Sequence, residues 1–191
     1  MVASAARPGS TASPNCAGSR SKRSPAISRS DDDMAESPPP IAPALEHAFS
    51  LFVDVAVPQE QGVVDGRQVR FVAITGERVA GPRLQGVVLP GGGDWQAIHA
   101  DGLALLETRY AIRADDGTVI GITNPAVRVA SEALTHRLAH DEPVDPSEYY
   151  FRSTPRFTVP DGDHGWLRRH IFVGVGIRRP TQVEIQVFAV A

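Results

Sequence analysis

The chain carries a single lysine, Lys22, and a single cysteine, Cys16. Both fall in the N-terminal tail, so the folded remainder offers no amine for a Schiff base and no thiol nucleophile. One cysteine also excludes an internal disulfide and leaves the redox compartment open. No apolar run approaches the roughly 20 residues of a membrane helix. The net charge is only -3, which gives no general signal for nucleic acid or an anionic membrane. Aromatic residues are scarce, at 6% of 191 residues, so the places where they gather carry weight. Hydrophobic residues make up 42%, enough for a sizeable core.

Residues 1 to 43 are dominated by Ser, Pro, Ala, Arg and Asp. Such a segment cannot bury enough apolar surface to offset its ordering entropy, so a disordered tail is expected there. Its Arg- and Ser-rich part faintly resembles an organelle transit peptide, and it lacks the apolar core of a secretory signal. Met34 offers an alternative start, with the residues before it an upstream extension of the frame. The expected location is the cytoplasm.

Residues 44 to 191 read as one β domain. Leu45 to Val57 alternates, with Phe49, Leu51, Val53 and Val55 on one face. A loop through Gln59 to Gly66 leads to a second strand, Arg67 to Ile74, with Val69 and Phe71 expected inward. A short segment around Val79 and a strand from Leu84 to Leu89 follow. Gly91-Gly92-Gly93 forms a tight loop, after which Trp95 to His99 resumes as a strand. Leu103 to Arg113 and Thr118 to Thr123 form a hairpin around Asp115-Asp116-Gly117. Ser131 caps one helix, on which Leu134 and Leu138 share a face, and Pro143 and Pro146 end it. Trp166 to Ile177 and Val183 to Val190 close the chain as two strands. This pattern predicts a small antiparallel β-barrel with one short helix; a two-sheet sandwich is the alternative.

The densest aromatic stretch is EYYFRSTPRF, Glu148 to Phe157. Read as a strand, it puts Tyr149, Phe151, Ser153 and Phe157 on one face and Tyr150, Arg152 and Arg156 on the other. Two guanidiniums beside a phenol can hold a carboxylate or an enolate-like oxygen. A solvated outer face would give the same pattern.

Other constellations are weaker. His136 and His140 share a helix face but lack a full ligand set, so no metal is expected. The glycine run has neither the lysine nor the following helix of a phosphate cradle. There is no GxSxG elbow. Asp94, Glu148 and His164 are acid–base candidates, each of a type common in solvated loops.

Four segments together resemble a known family. They are ITGERVAGPRLQGVVLPGGGDW (Ile74 to Trp95), DGLALLETRY (Asp101 to Tyr110), EPVDPSEYYFRSTPRF (Glu142 to Phe157) and WLRRHIFVGVG (Trp166 to Gly176). In this order they are similar to the domain of unknown function 3237, from about Leu45 to Val190. The resemblance implies a small β-barrel with a cavity and no established general reaction. Its pattern falls on Asp94, Trp95, Tyr110, Tyr149, Tyr150, Arg152 and Trp166, among others. Where the family has Asn after Trp-Leu, this chain has Arg168.

The resulting expectation is a barrel that binds a small organic molecule, aromatic or carbonyl- or carboxylate-bearing. Trp95, Tyr110, Tyr149 and Trp166 would stack on the ligand, and Arg152 and Arg156 would hold its anionic or carbonyl end. Asp94 or Tyr150 would move a proton in a non-redox isomerase- or cyclase-type step. The alternative is a non-catalytic carrier or an interaction module with a filled core. No cofactor, nucleic acid or membrane is expected as a partner, and a homodimer is compatible with the reading. Trp95, wedged behind the glycine loop, is expected to matter more for stability than Trp166.

Overall fold

Alternation of apolar residues places eleven strands in a computed structural model that describes residues 39–140 and 142–191. The expectations for the tail before residue 39, including the start at Met34, lie outside the described residues. Ile41–Ala191 clusters as one compact unit.

The strands are β1 (Leu45–Val55), β2 (Gln59–Val64), β3 (Arg67–Ala80), β4 (Gly86–Val88), β5 (Gly93–Ile98) and β6 (Leu103–Ala114). They continue with β7 (Val119–Val129), β8 (Tyr150–Ser153), β9 (Arg156–Thr158), β10 (Phe172–Arg178) and β11 (Gln182–Val190). Antiparallel pairing runs β1–β3–β5–β6–β7–β8–β10–β11 and back to β1, which closes an eight-stranded barrel. Closure leaves no wall strand with an unpaired edge. β4 extends the wall beyond β5, and β9 pairs with β7 beyond β8. Each of these breaks falls where the sequence has punctuation, at Pro90-Gly91-Gly92 and at Thr154-Pro155.

One helix, α1 (Glu132–Ala139), follows β7. The Ser131 hydroxyl accepts a hydrogen bond from the Leu134 amide at 3.2 Å, satisfying one of the helix's free N–H groups.

The barrel interior divides into two halves. In one, Phe49, Leu51, Ile112, Ile120 and Val187 are fully buried. Phe49 meets Phe157 and Trp166 edge-on at 5.8 and 6.4 Å, and Phe172 meets Phe157 and Trp166 at 5.1 and 5.7 Å. This half is packed with aromatic and aliphatic side chains. The other half holds the polar groups described below.

Four expectations change. The loop at Gln59 is a strand, because β2 pairs with the start of the long β3. Val72 and Ile74, not Val69 and Phe71, face the core; the run VRFVAI is apolar on both parities, so alternation alone could not fix its face. Asp163–Arg168 is a 3₁₀ helix that turns Leu167 and part of Trp166 toward the core, and β10 starts only at Phe172. EYYFRSTPRF is two short strands, split by Thr154-Pro155.

Candidate functional site

The second half of the barrel encloses a cavity of about 60 Å³, several times what one water needs. Its walls come from β1, β3, β5, β6, β7, β8, β10 and β11, so all eight barrel strands contribute. The apolar lining includes Val53, Val72, Ile74, Phe151 and Ile185. Against it stand Arg70, Asp94, Gln96, Thr108, Tyr110, Asn124, Arg128 and Arg178.

Strand periodicity explains how these polar groups come together. Gly91 and Gly92 adopt positive φ, 108° and 76°, and lead into β5 with Gly93 packed under the Phe71 ring. The next residue, Asp94, then points into the barrel, Trp95 points out, and Gln96 points in. On β6, Thr108 and Tyr110 share the parity of buried Ile112. On β7, Asn124, Ala126 and Arg128 continue the inward parity of Ile120 and Ile122.

Asp94 is the centre of a hydrogen-bonded chain. Arg70 Nε donates to Gln96 Oε1 at 2.7 Å, and Gln96 Nε2 donates to Asp94 Oδ2 at 2.5 Å. Arginine has no acceptor, so it must face the amide oxygen; this turns the amide NH₂ toward the carboxyl. Thr108 Oγ1 bonds Asp94 Oδ1 at 2.9 Å. Arg70 also lies 3.6 Å from Glu60 on β2, at the surface. Asp94 is only 9% exposed. Burial raises its pKa above the ordinary carboxylate range, opposed by Gln96, Thr108, Arg128 and Arg70.

Three further groups lack partners among the described residues. The Tyr110 hydroxyl and Asn124 Oδ1 are buried without a hydrogen bond. Burial, and then the neighbouring Asp94, push the Tyr110 phenol up, so it stays protonated. Arg128 is 6% exposed, and its guanidinium makes no hydrogen bond or ion pair with another described residue. Burial brings its pKa down to about 10, helped by Arg70 and Arg178 and opposed by Asp94 and Tyr149. Arg178 donates to the backbone carbonyls of Arg179 and Gln182.

The residues singled out in the sequence separate in space. Asp94 and Tyr110 line the cavity. Tyr149 is buried beside it, and its hydroxyl accepts the Arg178 amide at 2.9 Å. Trp95 is 46% exposed on the outer wall, packed against Phe71 with centroids 5.0 Å apart. Tyr150 is 51% exposed, and Arg152 lies over its ring and donates to the Phe151 carbonyl. Arg156 is exposed, and Trp166 belongs to the packed half of the barrel, with the Arg83 guanidinium 3.9 Å above its ring. The arginine face of EYYFRSTPRF is therefore the outside of the barrel. Arg168 pairs with Asp161 at the surface. His136 and His140 stack at 4.0 Å, and His140 Nδ1 donates to the His136 carbonyl.

The sequence pattern did not single out Arg70, Gln96, Thr108, Asn124 and Arg128. A signal for two of them was present. Ile120 and Ile122 fix the inward parity of β7, and carrying it forward places Asn124 and Arg128 inside. The expected strand ended at Thr123, short of both, whereas β7 runs to Val129.

Among the described residues, no helix is long and apolar enough to cross a membrane. Comparison with known proteins gives the chain its relatives. A protein named UPF0311 protein from Rhodopseudomonas palustris (strain TIE-1) is 34% identical over 152 residues, covering 78% of this chain and 99% of its own. A crystal structure of a conserved protein of unknown function from Rhodopseudomonas palustris superposes with a TM-score of 0.77 at 32% identity, over 80% of this chain and all of that one. A crystal structure described as an enzyme from Penicillium herquei matches with a TM-score of 0.60 over 80% of this chain and 98% of that one. At 20% identity it shows a shared fold alone. The model of the family described as protein of unknown function (DUF3237) matches residues 43–190, nearly the whole barrel, and the chain belongs to that family.

Proposed function

We propose that the barrel binds a small carbonyl-bearing organic molecule in its polar half and that Asp94 moves a proton on it. The observation that carries this reading is the setting of Asp94. It is a buried carboxyl facing a cavity, held by Gln96 and Thr108, with unpartnered polar groups converging on the same space.

A neutral carboxyl can donate its proton to a substrate oxygen. The carboxylate left behind can then take a proton from another position on the substrate, which restores the acid. Nothing is oxidised or reduced in such a shuttle, so it suits an isomerisation or an intramolecular ring closure. Burial keeps Asp94 protonated further up the pH scale than a solvated aspartate. Arg70 and Arg128 stabilise the transient carboxylate by their charge. The phenol of Tyr110 supplies a second donor for a developing oxyanion.

The test is proton exchange. Carbonyl compounds that bind the protein are incubated with it in D₂O, and exchange at carbon is followed by NMR. The wild-type protein should accelerate exchange, and Asp94→Asn should lose roughly 100-fold or more of that acceleration. Tight binding with no exchange for any bound compound would favour the carrier reading.

A further inference from the structure

We propose that the ligand selected by this cavity is a compact hydroxylated organic anion, with its anionic end on Arg128 and a hydroxyl held between Tyr110 and Asn124. This rests on the reading that the polar half of the barrel is a binding site, and it adds the substrate class.

The argument starts from what each unpartnered group requires. Three arginines line the cavity, but two are occupied: Arg70 by Gln96 and Glu60, and Arg178 by backbone carbonyls. Arg128 is buried, and its guanidinium has no hydrogen-bond or ion-pair partner among the described residues. A buried guanidinium is costly unless an anion meets it, and its planar fork suits a carboxylate.

The other two groups make complementary demands. Asn124 Oδ1 can only accept, so a carboxylate oxygen cannot satisfy it. The protonated Tyr110 phenol needs an acceptor. A hydroxyl meets both at once, accepting from Tyr110 and donating to Asn124. Their placement allows it: Tyr110 and Asn124 lie on adjacent strands, where Tyr110 pairs with Ile122 and Thr108 with Asn124.

The order along the barrel is then fixed. Arg128 lies on the same face of β7 as Asn124 but next to the strand's last residue, Val129. The anionic end therefore sits toward the end of the barrel and the hydroxyl sits deeper, level with Asp94. A cavity of about 60 Å³ limits the ligand to something compact.

Matched probes test this by calorimetry and protein-observed NMR. One set is 3-hydroxypropanoate with propanoate and 1,3-propanediol. The other is 4-hydroxybutanoate with butanoate and 1,4-butanediol. At least one hydroxyacid should bind about tenfold or more tighter than both its deoxy acid and its alcohol. Asn124→Ala should erase the preference for the hydroxyl and keep the preference for the acid. Arg128→Met should do the reverse. If alcohols bind as well as acids, or deoxy acids as well as hydroxyacids, the class is wrong and the site reading stands. If no probe binds, or if probes perturb only outer-wall residues such as Trp95 and Arg152, the site reading falls and this inference with it.

Discussion

Asp94 and Asn124 stand on one cross-strand row of the barrel, with Thr108 between them. The row puts an acid with a raised pKa and an unpartnered acceptor on the same wall, two strands apart. The acid should therefore be visible in the pH dependence of folding.

Between the ordinary value of 3.8 and its raised folded value, Asp94 keeps in the folded state a proton that the unfolded chain has released. Stability contributed by this group is full below 3.8 and falls as pH rises through that window. Asp94→Asn should remove the slope. Urea midpoints for both proteins from about pH 4 to pH 8 check this. Parallel curves would show that Asp94 titrates as an ordinary carboxylate.

Arg128 should be a burden on the folded barrel. Replacing buried ionic groups by well-packed apolar ones of similar volume is often neutral or stabilising, by up to about 4 kcal/mol for a pair or triad. Arg128→Met should raise the melting temperature while abolishing binding of any carboxylated ligand. A fall in melting temperature would mean that the guanidinium has partners that hold the wall together.

The glycine loop makes a sharper comparison. Gly91 and Gly92 both have positive φ, but a Cβ at Gly91 meets open space, whereas one at Gly92 would collide with the Arg109 carbonyl. Gly91→Ala should cost about 1 kcal/mol from backbone strain alone. Gly92→Ala should cost clearly more and should displace β5 from β6, and with it Asp94. Chemical denaturation of the two variants gives the ranking, and equal losses would contradict the close approach.

The two tryptophans rank opposite to the sequence expectation. Trp166 packs against Phe49 and Phe172, and Trp95 lies half-exposed on the outer wall. Trp166→Ala should cost about 3–5 kcal/mol. Trp95→Ala should cost much less, with the ring of Phe71 as its main loss. Thermal melts of both variants decide the order.

Much of the barrel was legible because alternation is a strong signal where one face is apolar. Phe49, Leu51 and Val53 in β1 follow it. It failed in β3, where both faces are apolar, and at Trp166, where a 3₁₀ turn takes an aromatic residue inward. The site was legible only in part. Asp94 could be found because glycines precede it, and Tyr110 because it falls on the family pattern. Arg70 could not, because β3 is apolar on both parities; Arg128 needed the parity of Ile120 and Ile122 to be carried past Thr123, where the expected strand ended. EYYFRSTPRF was split correctly into faces, but periodicity does not say which face is the lumen; Gly174 and Gly176, whose Cβ atoms would strike Ser153 and Phe151, do.

The separation of the interior into a packed half and a polar half implies uneven breathing. Amides around Phe49, Ile112 and Ile120 are expected to exchange only through global unfolding. Those near Arg128 and Arg178 lie close to the ends of β7 and β10, where opening is cheap. A ligand could then pass into a largely enclosed chamber through brief fraying of one rim while the rest of the wall stays closed. Its arrival, by neutralising Arg128, would slow that fraying and lengthen its own stay.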